Sequence, residues 1–589
     1  MKKNRLLENY YKLSREQRIQ WKKYLCVLGT AFLLFLLLIN LLHSCGREEP
    51  GAPETEEALP QHIPVVRELK NVWIMEAEAG QITLFCDGVR ETYDLDTEAN
   101  EAGRLPTADQ MREQLADVEL TDDLVSAVIL KTEKFTGRVL SADESGIEIE
   151  GRGRIPLAED YKGYRLYREL TMCTTEDLRF GYMDADFIRE NDEICGILLA
   201  REDNMDKIRV LIKTSDFSDV LHQTVTLTAE SDFLLQYGTG EEMQEELFSR
   251  GDEVTIDTDS DYFVGERIRI VPTVLTGRVR LINVNRSQGT PSYRGHIELL
   301  RTADGIAVVN ELPLEEYLYS VVPSEMPASY PLEALKAQAV AARTYTLRAM
   351  NANASKVYDV VDTTADQVYN GSPAERDRAA EAVDATRGIV AMNDGKLTGT
   401  YYTASNGGQT ESARNAWGSS GVNYLTVKDD PFDRMNPYSS TRKMTIYAAF
   451  ANASQNQSLT RLLQAKAPNA TILRIEAVTP HTPKYAAPSR LYTKLDFDVT
   501  ALVDGETRRL TLTFDIFSEL ESALNLSINT TKNELWSVKA DGETFVLNVR
   551  RYGHGIGMSQ NAVNEMVKDA MNYQQILQFF YPGTAIEQK

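Results

Sequence analysis

At 589 residues, 42% hydrophobic and 25% charged, the chain has apolar content enough for about two to four globular domains and falls outside the disordered class. Its formal net charge of −24 argues against a nucleic-acid partner, because a phosphate backbone demands a basic surface.

That charge is unevenly spread. Residues 1–23 carry Lys2, Lys3, Arg5, Lys12, Arg15, Arg18, Lys22 and Lys23 against Glu8 and Glu16, a net of about plus six, which leaves about −30 on everything that follows. Residues 24–42, YLCVLGTAFLLFLLLINLL, have only Asn40 as a clearly polar side chain. At ~1.5 Å per residue such a helix crosses ~30 Å of hydrocarbon. The basic lead predicts a single transmembrane anchor with a cytoplasmic N-terminus and the bulk of the chain extracytoplasmic. The competing reading is a cleaved signal, specifically a lipoprotein box at Leu42, His43, Ser44 and Cys45; His43 fits that box poorly, and the long lead favours an uncleaved anchor.

Residues 43–64 are rich in Pro, Glu and Ala and are predicted to be a linker. From 65 to 203 short apolar runs alternate with turn signals at Asp87-Gly88 and Ser145-Gly146, the pattern of a small β-rich accessory domain, a spacer or a docking module. Cys173 and Cys195 are candidates for a disulfide or for two buried free thiols. No CxxC pair and no His/Cys cluster appears, so no metal or other cofactor is expected.

Residues 204–589 open with further strands (IRVLIK, TVTLTA, FLLQY, RIRIV, GRVRLINV) and lead to LPLEEYLYSVVPSEMPASYPLEALKAQAVAARTYTLRAM. There Pro323 and Pro327 bracket Glu325 in what reads as a stiff loop, and Pro331 suits the first turn of a long helix. On that helix Leu335, Ala339, Ala342 and Ala349 form an apolar stripe, while Lys336 and Arg343, seven apart, share another face. A hairpin turning at Asn393, Asp394 and Gly395 delivers Tyr401, Tyr402 and the loop ASNGGQT. Residues 434–525 read as a surface elaboration. In YGHGIGMSQ, Gly553, Gly555 and Gly557 allow a tight turn around His554, Ser559 is a good N-cap, and Gln560 opens a helix. Phe580 and Tyr581 are expected in the core.

PSEMP, PLEALKAQAVAARTY, YYTASNGGQT and YGHGIGMSQ, in this order, resemble the stage II sporulation protein D (SpoIID/LytB) family of peptidoglycan lytic transglycosylases, over a stretch from about Ile208 to the C-terminus. The resemblance implies a β-rich α+β fold in which Glu325 is the acid/base and Lys336, Arg343, Tyr402, Ser405, His554 and Gln560 contact the glycan. It also implies peptidoglycan glycan strands as substrate, 1,6-anhydro products, a cell-wall amidase as partner, and a place in spore engulfment or wall remodelling. Where some relatives carry cysteines, VYDVVDTTADQVYNG has Asp362, Thr363, Thr364 and Asp366 instead, which puts a family-type zinc site in doubt. Because some relatives are described as amidase enhancers, a non-catalytic scaffold that binds peptidoglycan is the alternative.

Overall fold

Alternating apolar and polar residues with glycine-rich turns give the chain its strands, and a computed structural model shows how they are arranged. It describes residues 64–589 except 420–421, 438, 450–456 and 529–533. The anchor expected at 24–42 therefore lies outside the described residues; among those, no helix is long and apolar enough to cross a membrane. The fold is α+β and β-rich.

Residues 66–130 form a five-stranded antiparallel sheet in which Val66–Ala77 is central, flanked by Gln81–Cys86 and Gln114–Thr121. Asp87 and Gly88 make the turn between the second and third strands, both at positive φ. The next strands, from Lys134–Asp143 to Glu193–Leu199, curl until Glu193–Leu199 pairs in parallel with the long strand Gly153–Arg165, closing the sheet on itself. Trp73, Phe85, Leu115, Tyr164, Ile188 and Leu198 join sheet to barrel in one apolar cluster. Cys173 and Cys195 are buried and unbridged.

Lys207–Leu211 begins the larger part. Gly305–Pro313, buried at every position except Pro313, sits between His296–Thr302 and Lys207–Leu211 in an eight-stranded sheet. The strand runs directly into the helix Leu314–Glu325, and the helix Leu332–Ala352 follows. The latter is alanine-rich, and Ala334, Ala337, Ala339, Ala341 and Ala342 are fully buried, so neighbours approach it from nearly every side. A single core joins the sheet, both helices and the C-terminal helices Gln560–Lys568 and Tyr573–Phe580, with Phe580 and Tyr581 inside it.

The accessory region is fixed to this body by ion pairs and a hydrogen bond: Arg138 contacts Glu150 and Glu311, Arg267 contacts Glu148 and Glu298, and the Tyr182 hydroxyl donates to Asp359, which also pairs with Arg209. The elaboration near the C-terminus has its own core, built from the long hairpin Tyr492–Val503/Glu506–Asp515, the strand Ala470–Pro483 and the helix Gln457–Lys466.

Candidate active site

Glu325 stands in the last turn of the helix Leu314–Glu325 and not in the Pro-bracketed loop its flanking residues suggest. Pro323 lies inside that helix, where it deletes one N–H, and the chain leaves helical geometry at Met326. The carboxyl thus sits at a helix C-terminus, whose partial negative charge disfavours an anion. Its Oε1 accepts the Val368 N–H at 2.7 Å, and the Gln560 amide also donates to it. Gln560 Nε2 is held in turn at 3.4 Å from Oε1 of the buried Gln338. Glu325 keeps one face open to a cleft but is otherwise enclosed. Burial pushes its carboxyl up to about 7 against those two hydrogen bonds.

The cleft, of about 490 Å³, is lined by Glu325, Tyr402, Thr403, His554 and Gln560 together with Tyr345, Asp366, Tyr401, Trp417 and Tyr552. No Lys or Arg is among the described residues lining it. One wall is aromatic. Tyr401 meets Trp417 edge-on at 4.7 Å and Tyr345 at 5.9 Å, and Trp417 tilts over His554 at 5.2 Å. Trp417 and Tyr552 are 45% and 50% exposed, unusual values for side chains of this size, and offer apolar faces to a ligand. Asp366 is the second carboxylate of the cleft; its oxygens accept the Tyr345 hydroxyl at 3.0 Å and the Val361 N–H at 2.8 Å.

The short strands Tyr402–Thr403 and Met558–Ser559 pair in parallel and bring the two glycine-bearing loops together. A Cβ at Gly553 would stand 2.0 Å from Thr403 Oγ1, and one at Gly557 2.0 Å from the Tyr401 carbonyl, so both positions need glycine. Nδ1 of His554 accepts the Ile556 N–H at 3.0 Å, and the ring also bonds the Tyr402 carbonyl. Burial and the nearby Arg551 push its imidazole down to about 4. His554 is therefore a neutral cleft wall at physiological pH, with its ring nitrogens engaged by backbone.

The structure brings Glu325, Tyr402, His554 and Gln560 into one cleft and keeps Ser405, Lys336 and Arg343 out of it. Ser405 is fully buried and donates to Asp433 Oδ1 at 2.9 Å; the same carboxylate takes Asn406 N–H and the Ser559 hydroxyl, so it ties the two loops from behind. Lys336 pairs with Glu333 at 2.7 Å. Arg343, 1% exposed, makes a bidentate pair with Glu315 at 2.8 and 2.7 Å and donates to the carbonyls of Ile389 and Val383. The reason is helical phase. At about 100° per residue Gln338 and Tyr345 share the cleft face, which puts Lys336 and Arg343 on the opposite side. Of the two acidic residues in LEEY, Glu315 is the one in the buried pair, while Glu316 is half-exposed and 3.8 Å from Arg294.

Sequence reasoning passed over Tyr345, Trp417, Tyr552 and the buried Gln338. Tyr345 was within reach, since it lies seven residues from Gln338. Asp362, one of the polar residues of the DTTAD segment, is buried against Arg286 at 2.5 Å.

Known proteins bear on this arrangement. The family model SpoIID, described as Stage II sporulation protein, matches residues 302–392, which hold Glu325 and both helices. An uncharacterized protein of Brachyspira hyodysenteriae is 31% identical over 304 residues, 50% of this chain and 72% of its own. Stage II sporulation protein D of Bacillus subtilis is 31% identical over 309 residues, 50% of this chain and 79% of its own. The B. subtilis amidase enhancer is 32% identical over 289 residues, 46% of this chain and 40% of its own.

Proposed function

Because the chain belongs to the stage II sporulation protein D family, we propose that it is a membrane-anchored lytic transglycosylase that cuts the MurNAc-GlcNAc bonds of peptidoglycan glycan strands. The observation that carries this reading is Glu325, a carboxyl at about 7 in a cleft whose described lining offers it no cation. Near neutral pH such a group is present in both protonation states, as a residue must be that acts first as acid and then as base.

Protonated Glu325 gives its proton to the glycosidic oxygen as the bond to the MurNAc anomeric carbon breaks. The carboxylate then takes the proton of the MurNAc 6-hydroxyl, whose oxygen closes on that carbon. The GlcNAc chain leaves with a free 4-hydroxyl, the MurNAc carries a 1,6-anhydro ring, and Glu325 ends protonated as it began. No second nucleophile is required. Val368 N–H and the Gln560 amide fix the carboxyl where it borders the cleft. Trp417 and Tyr552 supply apolar faces for neighbouring rings. The anchor at 24–42, the linker at 43–64 and the accessory domain at 65–203 hold this catalytic part, 204–589, outside the membrane within reach of the wall.

Asp366 supports a second reading, a hydrolase with two carboxylates and a water nucleophile. The name of the relative called amidase enhancer supports a third, a scaffold that recruits an amidase. Mass spectrometry of peptide-free glycan strands after incubation separates them. Anhydro ends from the parent, with at least a 10³-fold slower release by Glu325→Gln, support the transglycosylase; reducing ends support the hydrolase; binding without cleavage supports the scaffold.

A further inference from the structure

The helix Leu332–Ala352 carries three cations, and two of them, Lys336 and Arg343, are claimed by Glu333 and Glu315 away from the cleft. The third is Arg348. At about 100° per residue it stands about 60° around the helix from Tyr345, against about 160° to 180° for Arg343 and Lys336, so it emerges on the cleft side. Its side chain is exposed, and Nη1 donates to the Tyr401 hydroxyl oxygen at 3.2 Å. The guanidinium reaches that phenol across Gly399, where a Cβ would stand 2.8 Å from Nη1. Its charge also acts on the Tyr345 phenol, and Tyr345 and Tyr401 both line the cleft. Among the described residues no carboxylate pairs with Arg348, and the bond to Tyr401 occupies one of the five N–H groups of a guanidinium.

We propose that Arg348 binds a carboxylate carried by the muramic residues of the strand and thereby tells MurNAc from GlcNAc at the edge of the cleft. The inference rests on the glycan-strand reading of the cleft above. Each MurNAc bears a lactyl ether that ends in a free carboxylate or in a stem peptide with carboxylates of its own, whereas GlcNAc is neutral. A formal net charge of −24 opposes an anionic ligand, so such a group needs a local cation to settle on. The described lining of the cleft has none, and Arg348 at its edge supplies one, with a planar fork that fits both oxygens of a carboxylate. The guanidinium bonds Tyr401, while Glu325 takes its hydrogen bonds from Val368 and Gln560. The strand is thus held by charge without a cation set against the acid, which would keep that group ionised.

The test is titration calorimetry on the full-length protein carrying Glu325→Gln, which reads binding without turnover. Three ligands are compared: peptide-free glycan strands, the same strands with their lactyl carboxylates converted to methylamides, and strands that keep their stem peptides. Adding Arg348→Gln should weaken binding of a carboxylate-bearing strand about three- to tenfold and leave the methylamide strand within about twofold. Arg348→Lys should recover part of the loss, because it keeps the charge and gives up the fork. Salt at about 0.5 M should shrink the difference between charged and methylamide strands. Dependence on Arg348 confined to peptide-free strands assigns the lactyl carboxylate, and dependence confined to strands with stem peptides assigns the peptide's; either supports the contact. Equal losses on charged and methylamide strands, or no loss on any strand, would overturn it. The side chain is exposed, so the variants are expected to fold, and matching thermal unfolding of parent and variants checks this. Strands left uncut by the protein with Glu325 intact, while the Arg348 dependence persists, would instead sink the transglycosylase reading and leave the contact standing.

Discussion

Two glutamates ten residues apart mark the two ends of the helix Leu314–Glu325, and their surroundings differ in kind. Glu315 stands in the first turn, where the helix dipole favours an anion, and faces the bidentate guanidinium of Arg343 with the Gly388 N–H at 3.2 Å. Glu325 stands in the last turn, where the dipole opposes an anion, and meets only neutral donors from Val368 and Gln560. A buried carboxyl keeps its proton toward neutral pH where no cation stands beside it. The long helix Leu332–Ala352 separates the two environments, with Arg343 on one side and Tyr345 on the other.

The sharpest way to break the contrast is at Glu315. Replacing it with Gln strips Arg343, almost wholly buried, of its counter-charge and should cost about 3–5 kcal/mol, visible as a lower urea midpoint with an unchanged slope. Glu325→Gln should act in the opposite direction. A carboxyl raised from 4.5 to about 7 costs the fold stability once it ionises, and with its cleft face open to water the gain on replacement should be on the order of 2 kcal/mol at pH 8. At pH 4 parent and variant should unfold alike, and a gain equally large there would refute the linkage. Gln560→Lys makes the two ends of the helix alike by giving Glu325 a cation. The alkaline limb of the pH–rate profile should move down by about one to two units, and a profile that stays in place would show that Gln560 does not face the carboxyl. The smallest effect is expected at the aromatic wall. If the proposed glycan rests on this face, Trp417→Ala should raise KM about five- to tenfold with kcat within about threefold.

What could be read in advance followed from local chemistry. The turn at Asp87-Gly88, the hairpin at Asn393 to Gly395, the Ser559 cap and the start of the long helix after Pro331 all rest on backbone preferences carried by a few adjacent residues. Glu325 was singled out by two prolines that read as a stiff loop and stand instead at a helix end, and its acid/base role came from the family resemblance. Periodicity showed that Lys336 and Arg343 share a face, but only packing decides which face meets the cleft and which carboxylates, Glu333 and Glu315, claim them. Ser405 was misplaced for the same reason. Its partner Asp433 lies 28 residues onward, in a stretch with no pattern to connect them. Trp417, at the end of the short helix Ala413–Trp417, and Tyr552, in a distant loop, meet only in the folded chain, so neither carries a local mark of function.

The central claim is that Glu325 holds its proton near neutral pH. Carbon-13 labelling of the glutamate carboxyls, followed by a pH titration of the parent minus Glu325→Gln, isolates this one group in the full-length protein. A difference resonance titrating near 7 is the predicted result. One titrating near 4.5, like an ordinary solvated glutamate, would contradict the account at its root.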